Sequence, residues 1–359
     1  MLTPKQIEEI KEHLERAQNP LFFYDNDADG LCSYLLLRRY IGRGKGVAVK
    51  SYPDLNLQYA KKAQELKADA VFVLDKPLIA KEFMEEIDKM QLPLIWIDHH
   101  YSEDNGIEKR FGKNYSNLHI YNPTYNKGKD ISNEPVTFLV YKITERKEDL
   151  WLAVIGCIAD NFMPSFISEF DKQWPDFLTR NDKIRGPFDI YYGTEIGRIA
   201  RAFSFGLKDS ITHVVQMQNF LISCKSPSDV FMEIEGNKSF REKYNEIKKK
   251  YNTLLDMAKE CKKENLIFFD YSGELSISAD LANELSYLYS NFFIVVAYKK
   301  GMISNISLRG NKVRDILERV LKQFPDATGG GHENAVGARI KTEDLQKFRE
   351  VLEGEITRK

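Results

Sequence analysis

The sequence predicts an α/β protein with a doubly wound parallel-sheet domain over residues 1–195, a helical connector over 196–264 and a smaller α/β domain over 265–359. Three observations lead to this. Strand-like apolar runs alternate with helical segments from residue 20 to about 100, joined by short loops, as parallel sheets require. A second alternation of the same kind opens at Leu266. Four acidic or histidine motifs each stand just past an apolar run, and in open parallel sheets that edge gathers ligands.

Taken in order, Pro4 opens an amphipathic helix with Ile7, Ile10 and Leu14 on one face. Strands are expected at Leu21–Tyr24, Gly46–Ser51, Ala68–Leu74 and Pro93–Ile97, separated by helices at Leu31–Tyr40, Tyr59–Leu66 and Lys81–Met90. Residues Tyr101 to Asp130 read as loops around a short strand at Leu118–Tyr121. Helical runs follow at Val136–Ile143 and Leu150–Ala159. Residues 161 to 195 carry Pro164, Pro175 and Pro187 and are expected to be irregular. From Phe240 to Lys263 helical spacing aligns Tyr244, Ile247, Tyr251, Leu254 and Leu255, leaving Lys248-Lys249-Lys250 and Lys262-Lys263 on a solvated basic face; a stripe touching a nucleic-acid backbone is the alternative. The last domain is expected to place strands at Leu266–Tyr271, Phe292–Tyr298, Met302–Leu308 and Ala335–Ile340, with helices at Ala279–Tyr289 and Val313–Leu321 and at the end.

The chain has 359 residues, 43% hydrophobic, enough to build a core in each domain. A net charge of -1 offers no global basic field, so a nucleic-acid partner must be held locally or through metals. Cys32, Cys157, Cys224 and Cys261 form no CxxC pair, which suits a reducing, cytoplasmic setting. The amino terminus does not read as a signal peptide, and no apolar stretch reaches about 18 residues, so no membrane span or membrane partner is expected.

The motifs carry the chemistry. Asp25-Asn26-Asp27-Ala28-Asp29-Gly30 would turn Asp25, Asp27 and Asp29 to one side if the backbone stays extended; an Asp-rich loop with Asp29 near a helix N-cap is the other reading. Asp75 follows Val71–Leu74 and either caps a helix or bridges two cations. Asp98-His99-His100 follows Leu94–Ile97, and adjacent histidines there would face different sides, one to a metal and one to a substrate. Asp160 closes an unusually apolar run, where a buried carboxylate needs a cation or strong donors. His13, His119 and His213 read as ordinary histidines. Two carboxylates about 5 Å apart repel by roughly 3 kcal/mol at an effective dielectric near 20. Five converging aspartates are therefore costly without cations, and two divalent ions nearly balance them. Farther along, Gly329-Gly330-Gly331-His332 could form an anion-binding nest or a flexible turn, and Arg309 can grip a phosphate in bidentate fashion.

With these residues in hand, the chain resembles the DHH phosphoesterase superfamily, in its DHH–DHHA1 branch and near the RecJ-like archaeal single-strand exonucleases. The likeness implies two ions, manganese or magnesium, held by Asp27, Asp29, Asp75, His99 and Asp160, with Asp75 bridging and Asp25 at the first acidic position. It implies His100 beside the scissile phosphate, Asp98 orienting the histidines, and Arg309 with Gly329, Gly330, Gly331 and His332 holding substrate from the second domain across a cleft. The mixed carboxylate and imidazole donors suit manganese. The activity implied is single-strand-specific exonuclease action on DNA or RNA, leaning to 3′→5′, in repair, replication or RNA turnover, with a replication or repair helicase as partner. The alternative is a nanoRNA or adenosine bisphosphate phosphatase or a cyclic-dinucleotide phosphodiesterase. Asp75 is followed by Lys76-Pro77 where bacterial relatives have a glycine-containing turn. Phe162, Phe203 and Phe205 are candidates for stacking on bases.

Overall fold

The computed structural model describes residues 1–51, 54–100, 115–126, 134–180 and 182–357. The chain divides into two compact units, Met1–Tyr244 and Asn245–Lys359. The helices Glu195–Gly206 and Ile211–Ser223, expected within a connector, pack on Leu150–Ala159 and Ala28–Ile41 and so belong to the first unit. The division falls inside the long helix Lys238–Glu260. That helix buries Phe240, Tyr244, Ile247, Tyr251 and Leu255 and leaves Lys248, Lys249 and Lys250 exposed.

In the first unit, five strands form one parallel sheet in the spatial order Lys45–Val49, Pro20–Asp25, Ala70–Leu74, Leu94–Ile97, Leu118–Tyr121. The three inner strands are apolar and buried on both faces, as parallel strands covered by helices must be. Phe22, Phe23, Phe72 and Trp96 are at most 1% exposed, each contributing on the order of 2–3 kcal/mol by leaving water. The second strand in sequence lies on one side of the first and the later ones on the other. The chain therefore reverses direction between Pro20–Asp25 and Ala70–Leu74, the switch point at which doubly wound sheets open a crevice.

Residues 161–195, expected to be irregular, contain helices at Ile167–Gln173 and Pro187–Gly193. Proline there starts helices instead of breaking them, because Pro187 sits in the first turn, where its missing N–H has no intrahelical partner to lose. The expected loops over 101–114 and 127–130 lie outside the described residues.

The second unit is a six-stranded mixed sheet running from the edge strand Thr328–His332 through Ala335–Lys341, Ile303–Arg309, Phe293–Lys300 and Leu266–Ser272 to Lys262–Lys263. Helices Val313–Leu321 and Leu345–Thr357 close its main core around Val295, Ile306, Leu308, Val336 and Phe348. No helix among the described residues is long and apolar enough to cross a membrane.

Candidate metal centre and candidate substrate shelf

Tyr24, Leu74, Ile97 and Tyr121 form one row across four neighbouring strands. The next residue on each strand is Asp25, Asp75, Asp98 or Asn122, so register alone aligns four polar groups at spacings of about 4.8 Å. The first motif does not stay extended. Asp25 ends its strand, Asp27 is the N-cap of Ala28–Ile41, accepting from Gly30 N at 2.9 Å, and Asp29 lies in the first helical turn. The helix starts three residues earlier than its apolar pattern suggests because Asp27, not Asp29, makes the cap, a bond of about 1 kcal/mol. Gly30 permits the tight entry: a Cβ there would stand 2.5 Å from the Asp25 carbonyl oxygen. Both Asp29 oxygens accept backbone N–H bonds, from Val136 at 2.9 Å and Thr137 at 2.7 Å, and so tie the helix Val136–Thr144 to the site.

The two histidines converge rather than diverge. His99 Nε2 is 3.3 Å and His100 Nδ1 3.9 Å from the same Asp75 oxygen, with ring centroids 4.5 Å apart. Strand alternation does not govern them, because the strand has ended at Ile97. Asp160 caps the buried helix Leu150–Ala159; its side chain keeps 37% of its surface, so it is not the fully buried carboxylate expected, and it stands 3.8 Å from His99 Nε2. Two groupings have donor atoms close enough to share an ion: Asp75, His99 and His100, and Asp29, His99 and Asp160. Asp25 is in neither; it forms an ion pair with Lys76. Asp27 is in neither grouping and keeps its cap bond.

The electrostatics fit cations. Burial pushes the Asp27 carboxyl up to about 7, with the charges of Asp25 and Asp29 adding to the rise. Burial and four neighbouring carboxylates push Asp75 well above the usual range, and burial with Asp29 and Asp27 does the same to Asp160. Asp75 Oδ1 is buried and accepts no hydrogen bond, an orphan that a divalent ion would satisfy. Asp75 also holds a left-handed backbone, φ 59°, which for a non-glycine residue costs of order 1 kcal/mol or more. Burial lowers the His100 pKa, but the 2.7 Å bond that its Nδ1–H donates to Asp98 and the charges of Asp98, Asp160 and Asp27 reverse this and raise it to about 9.

Three residues at this edge were missed as functional by sequence reasoning. Asn122, 1% exposed, donates to Asp98 at 3.3 Å and to the His100 carbonyl at 3.0 Å; its signal was a polar residue just past the Leu118–Tyr121 strand. Thr137 donates to the Asp29 carbonyl at 2.9 Å, and no local pattern announces that contact. Lys76, noted only as a departure from relatives, is fully buried. Of the aromatics expected to stack on bases, Phe203 and Phe205 are core: they pack on Trp151 and Tyr244 and are at most 4% exposed. Phe162 packs on Phe138. His13 and His119 pack on each other, and His213 bonds Asp209, the ordinary roles expected of them.

In the second unit the Gly329–His332 run is neither nest nor turn. It is an edge strand, because Ala335–Lys341 offers a complete antiparallel ladder, and strand N–H groups alternate in direction instead of converging. Register places His332, Ala335 and Arg309 in one row, Gly330, Gly337 and Ser307 in the next, and Thr328, Arg339 and Asn305 in the third. Residues directly opposite share a face, and this face lies opposite Leu308, Val336 and Ile340 of the core. Gly330, Gly337, Thr328, His332 and Arg339 are exposed, and a Cβ on either glycine would meet nothing closer than 3.7 Å. The result is a flat glycine shelf between an Arg309–His332 row and an Arg339 row. Arg309 Nε donates to Asn283 at 2.7 Å, which fixes its guanidinium.

A family model described as the DHHA1 domain matches residues 266–358. No curated protein matches the chain by sequence. Among solved structures, a DHH-domain protein described as a member of a family of ribosomal proteins aligns with a TM-score of 0.69 at 14% identity, covering 98% of this chain and 90% of that one. RecJ from Thermus thermophilus, solved with Mn2+, aligns with a TM-score of 0.65 at 14% identity over 100% of this chain, which spans 56% of that protein. A structure of exonuclease RecJ bound to manganese gives 0.63 at 13% identity, covering 100% of this chain and 96% of that one. The chain therefore carries a DHHA1 domain over residues 266–358 and, along its length, takes the fold seen in the RecJ and DHH-domain structures.

Proposed function

We propose that this chain is a divalent-metal-dependent phosphodiesterase that removes nucleotides from an end of single-stranded DNA or RNA. The observation that carries the reading is the buried, hydrogen-bond-free Asp75 Oδ1 facing His99, with Asp29, Asp160 and His100 around the same imidazole. Asp27, Asp29, Asp75, His99 and Asp160 are the residues that would hold the ions. Bound cations, manganese or magnesium, would neutralise the phosphate and acidify an attacking water.

The rest is done by the chain itself. Asp98 fixes the His100 ring through Nδ1 and favours its protonated form. His100 can then offer Nε2–H to a phosphate oxygen or return a proton to the departing one. Asn122 holds Asp98 and the His100 backbone, so the pair need not reorganise during reaction. The glycine shelf has no side chains to obstruct a flat group, and Arg339 and His332 border it with donors for phosphate, beside an Arg309 whose Nε and Nη1 are already bonded to Asn283 and to the Leu308 and Val336 carbonyls. A single strand whose bases are unstacked fits such a surface better than a duplex does.

RecJ-named structures share this fold and support the exonuclease reading; a pGpG-specific phosphodiesterase shares it too, so substrate length decides between the two. A cytoplasmic role in repair, replication or RNA turnover beside a helicase, with 3′→5′ polarity, completes the proposal. The test is a gel of end-labelled single-stranded DNA and RNA 20-mers against dinucleotides and adenosine 3′,5′-bisphosphate, with Mn2+ and with chelator. Stepwise shortening of the 20-mers only when Mn2+ is present is expected; hydrolysis confined to the small substrates would replace this reading.

A further inference from the structure

Lys76 is 0% exposed, and its Nζ donates to Asp25 Oδ1 at 2.8 Å and to the Ser51 carbonyl at 3.2 Å. Its backbone is pinned as well. Trp96 Nε1 donates to the Lys76 carbonyl at 2.9 Å, and the left-handed Asp75 just before it turns the chain at the strand end. A buried ammonium is stable only when paired and hydrogen-bonded, so the Asp25 carboxylate, 26% exposed, serves as its counterion. Asp25 is also close enough to Asp27 and Asp75 for its charge to be felt by both.

We infer that Lys76 is a built-in third cation of the metal centre, and that Asp25 is its positioning partner rather than a metal ligand. The inference rests on the two-metal reading above and deepens it. With ions bound and their ligands ionised, Asp25, Asp27, Asp29, Asp75 and Asp160 would bring five negative charges to this edge, and Lys76 cancels one. Four remain, the number that two divalent ions neutralise. The lysine also spares the metal-free protein the full repulsion, so the aspartates can be assembled before ions arrive.

The consequence is an opposite-signed pattern. Removing Lys76 deepens the negative field and should tighten Mn2+ binding; removing Asp25 leaves a buried ammonium facing the ions and should weaken it. Removing both restores the original balance. The test is calorimetric titration of the full-length, metal-stripped protein with Mn2+ alone, comparing Lys76→Met, Asp25→Asn and the double variant. Expected are about ten-fold tighter binding, about ten-fold weaker binding with two ions still taken up, and a return to within about three-fold of the parent. Loss of one of the two ions in both Asp25→Asn and the double variant would make Asp25 a ligand and overturn the inference, as would unchanged affinity in Lys76→Met. If Lys76→Met does not fold, the remaining two proteins still decide, because the double variant replaces a buried ion pair with neutral groups of similar size. A parent protein that takes up no Mn2+ removes the metal reading itself, a failure distinct from a parent that binds while its variants break the pattern.

Discussion

The carboxyl edge of the parallel sheet and the glycine shelf of the second unit are built on opposite principles. At the sheet edge, charge is concentrated, largely buried and held by many contacts: Asp29 by two backbone N–H groups, Asp98 by His100 and Asn122, Asp25 by Lys76. At the shelf the surface is exposed, poor in side chains and bordered by long cationic groups. The first arrangement is suited to holding atoms to a fraction of an ångström, and the second, under the proposed function, to accepting a nucleic-acid strand. The difference predicts where a substitution acts: on the chemical step at the edge, on substrate affinity at the shelf.

The largest effects belong to the edge. Asp75→Asn or His99→Ala should lower kcat on a labelled single-stranded 20-mer with Mn2+ by at least about 100-fold, and Asp75→Asn should leave the melting temperature of the metal-free protein unchanged or higher. Relief of carboxylate repulsion is the reason for the latter. Full activity in either variant would remove the edge from the mechanism. Next comes Gly30→Ala. Its methyl would stand 2.5 Å from the Asp25 backbone, so the helix must back away, with a destabilisation of about 1–3 kcal/mol in urea unfolding and a matching loss of Mn2+ affinity.

The shelf should respond differently. Arg339→Ala and Gly330→Val are each expected to raise KM for the 20-mer by about ten-fold with kcat within about two-fold, since ground-state and transition-state binding are lost together. Gly330→Val should also leave stability intact, because the space above that glycine is open and the position is an edge strand where a β-branched residue is at home. A fall in kcat with KM unchanged would assign the shelf to catalysis and erase the contrast between the regions. The smallest effect is expected on the exposed face of Lys238–Glu260. Replacing Lys248, Lys249 and Lys250 by Ala should change KM by less than about three-fold at 0.15 M salt, where exposed charges are largely screened. A larger, salt-dependent rise would turn that face into a nucleic-acid contact.

Much of this was legible in the residues themselves. Buried parallel strands are continuous apolar runs, so Phe22-Phe23, Val71–Leu74 and Leu94–Ile97 marked the sheet, and the acids just past them marked its functional edge. The second domain's alternation from Leu266 was equally plain, and the family match covers it. What local pattern misjudged were points where the backbone leaves its period. Asp27-Ala28-Asp29 enters a helix at once, His99-His100 leaves a strand, and Pro187 begins a helix inside a stretch that composition alone called irregular. Phe203 and Phe205 look the same in sequence whether they line a groove or fill a core, and burial decided for the core.

By itself the sequence determined the alternation of elements, the edge on which the acids fall, and the presence of Arg309 and three glycines before His332, because hydrophobic periodicity and strand ends are local properties. Only the tertiary structure decided which acids face which donors. Register put Asp25, Asp75, Asp98 and Asn122 in line, and the Gly329–His332 run became an edge strand because a neighbouring strand offered its ladder. It also sent a buried lysine to Asp25 rather than to solvent. These are contacts across about 20 to 110 residues of chain, set by packing and by the energetic cost of leaving buried charge unpaired, and no window along the sequence contains them.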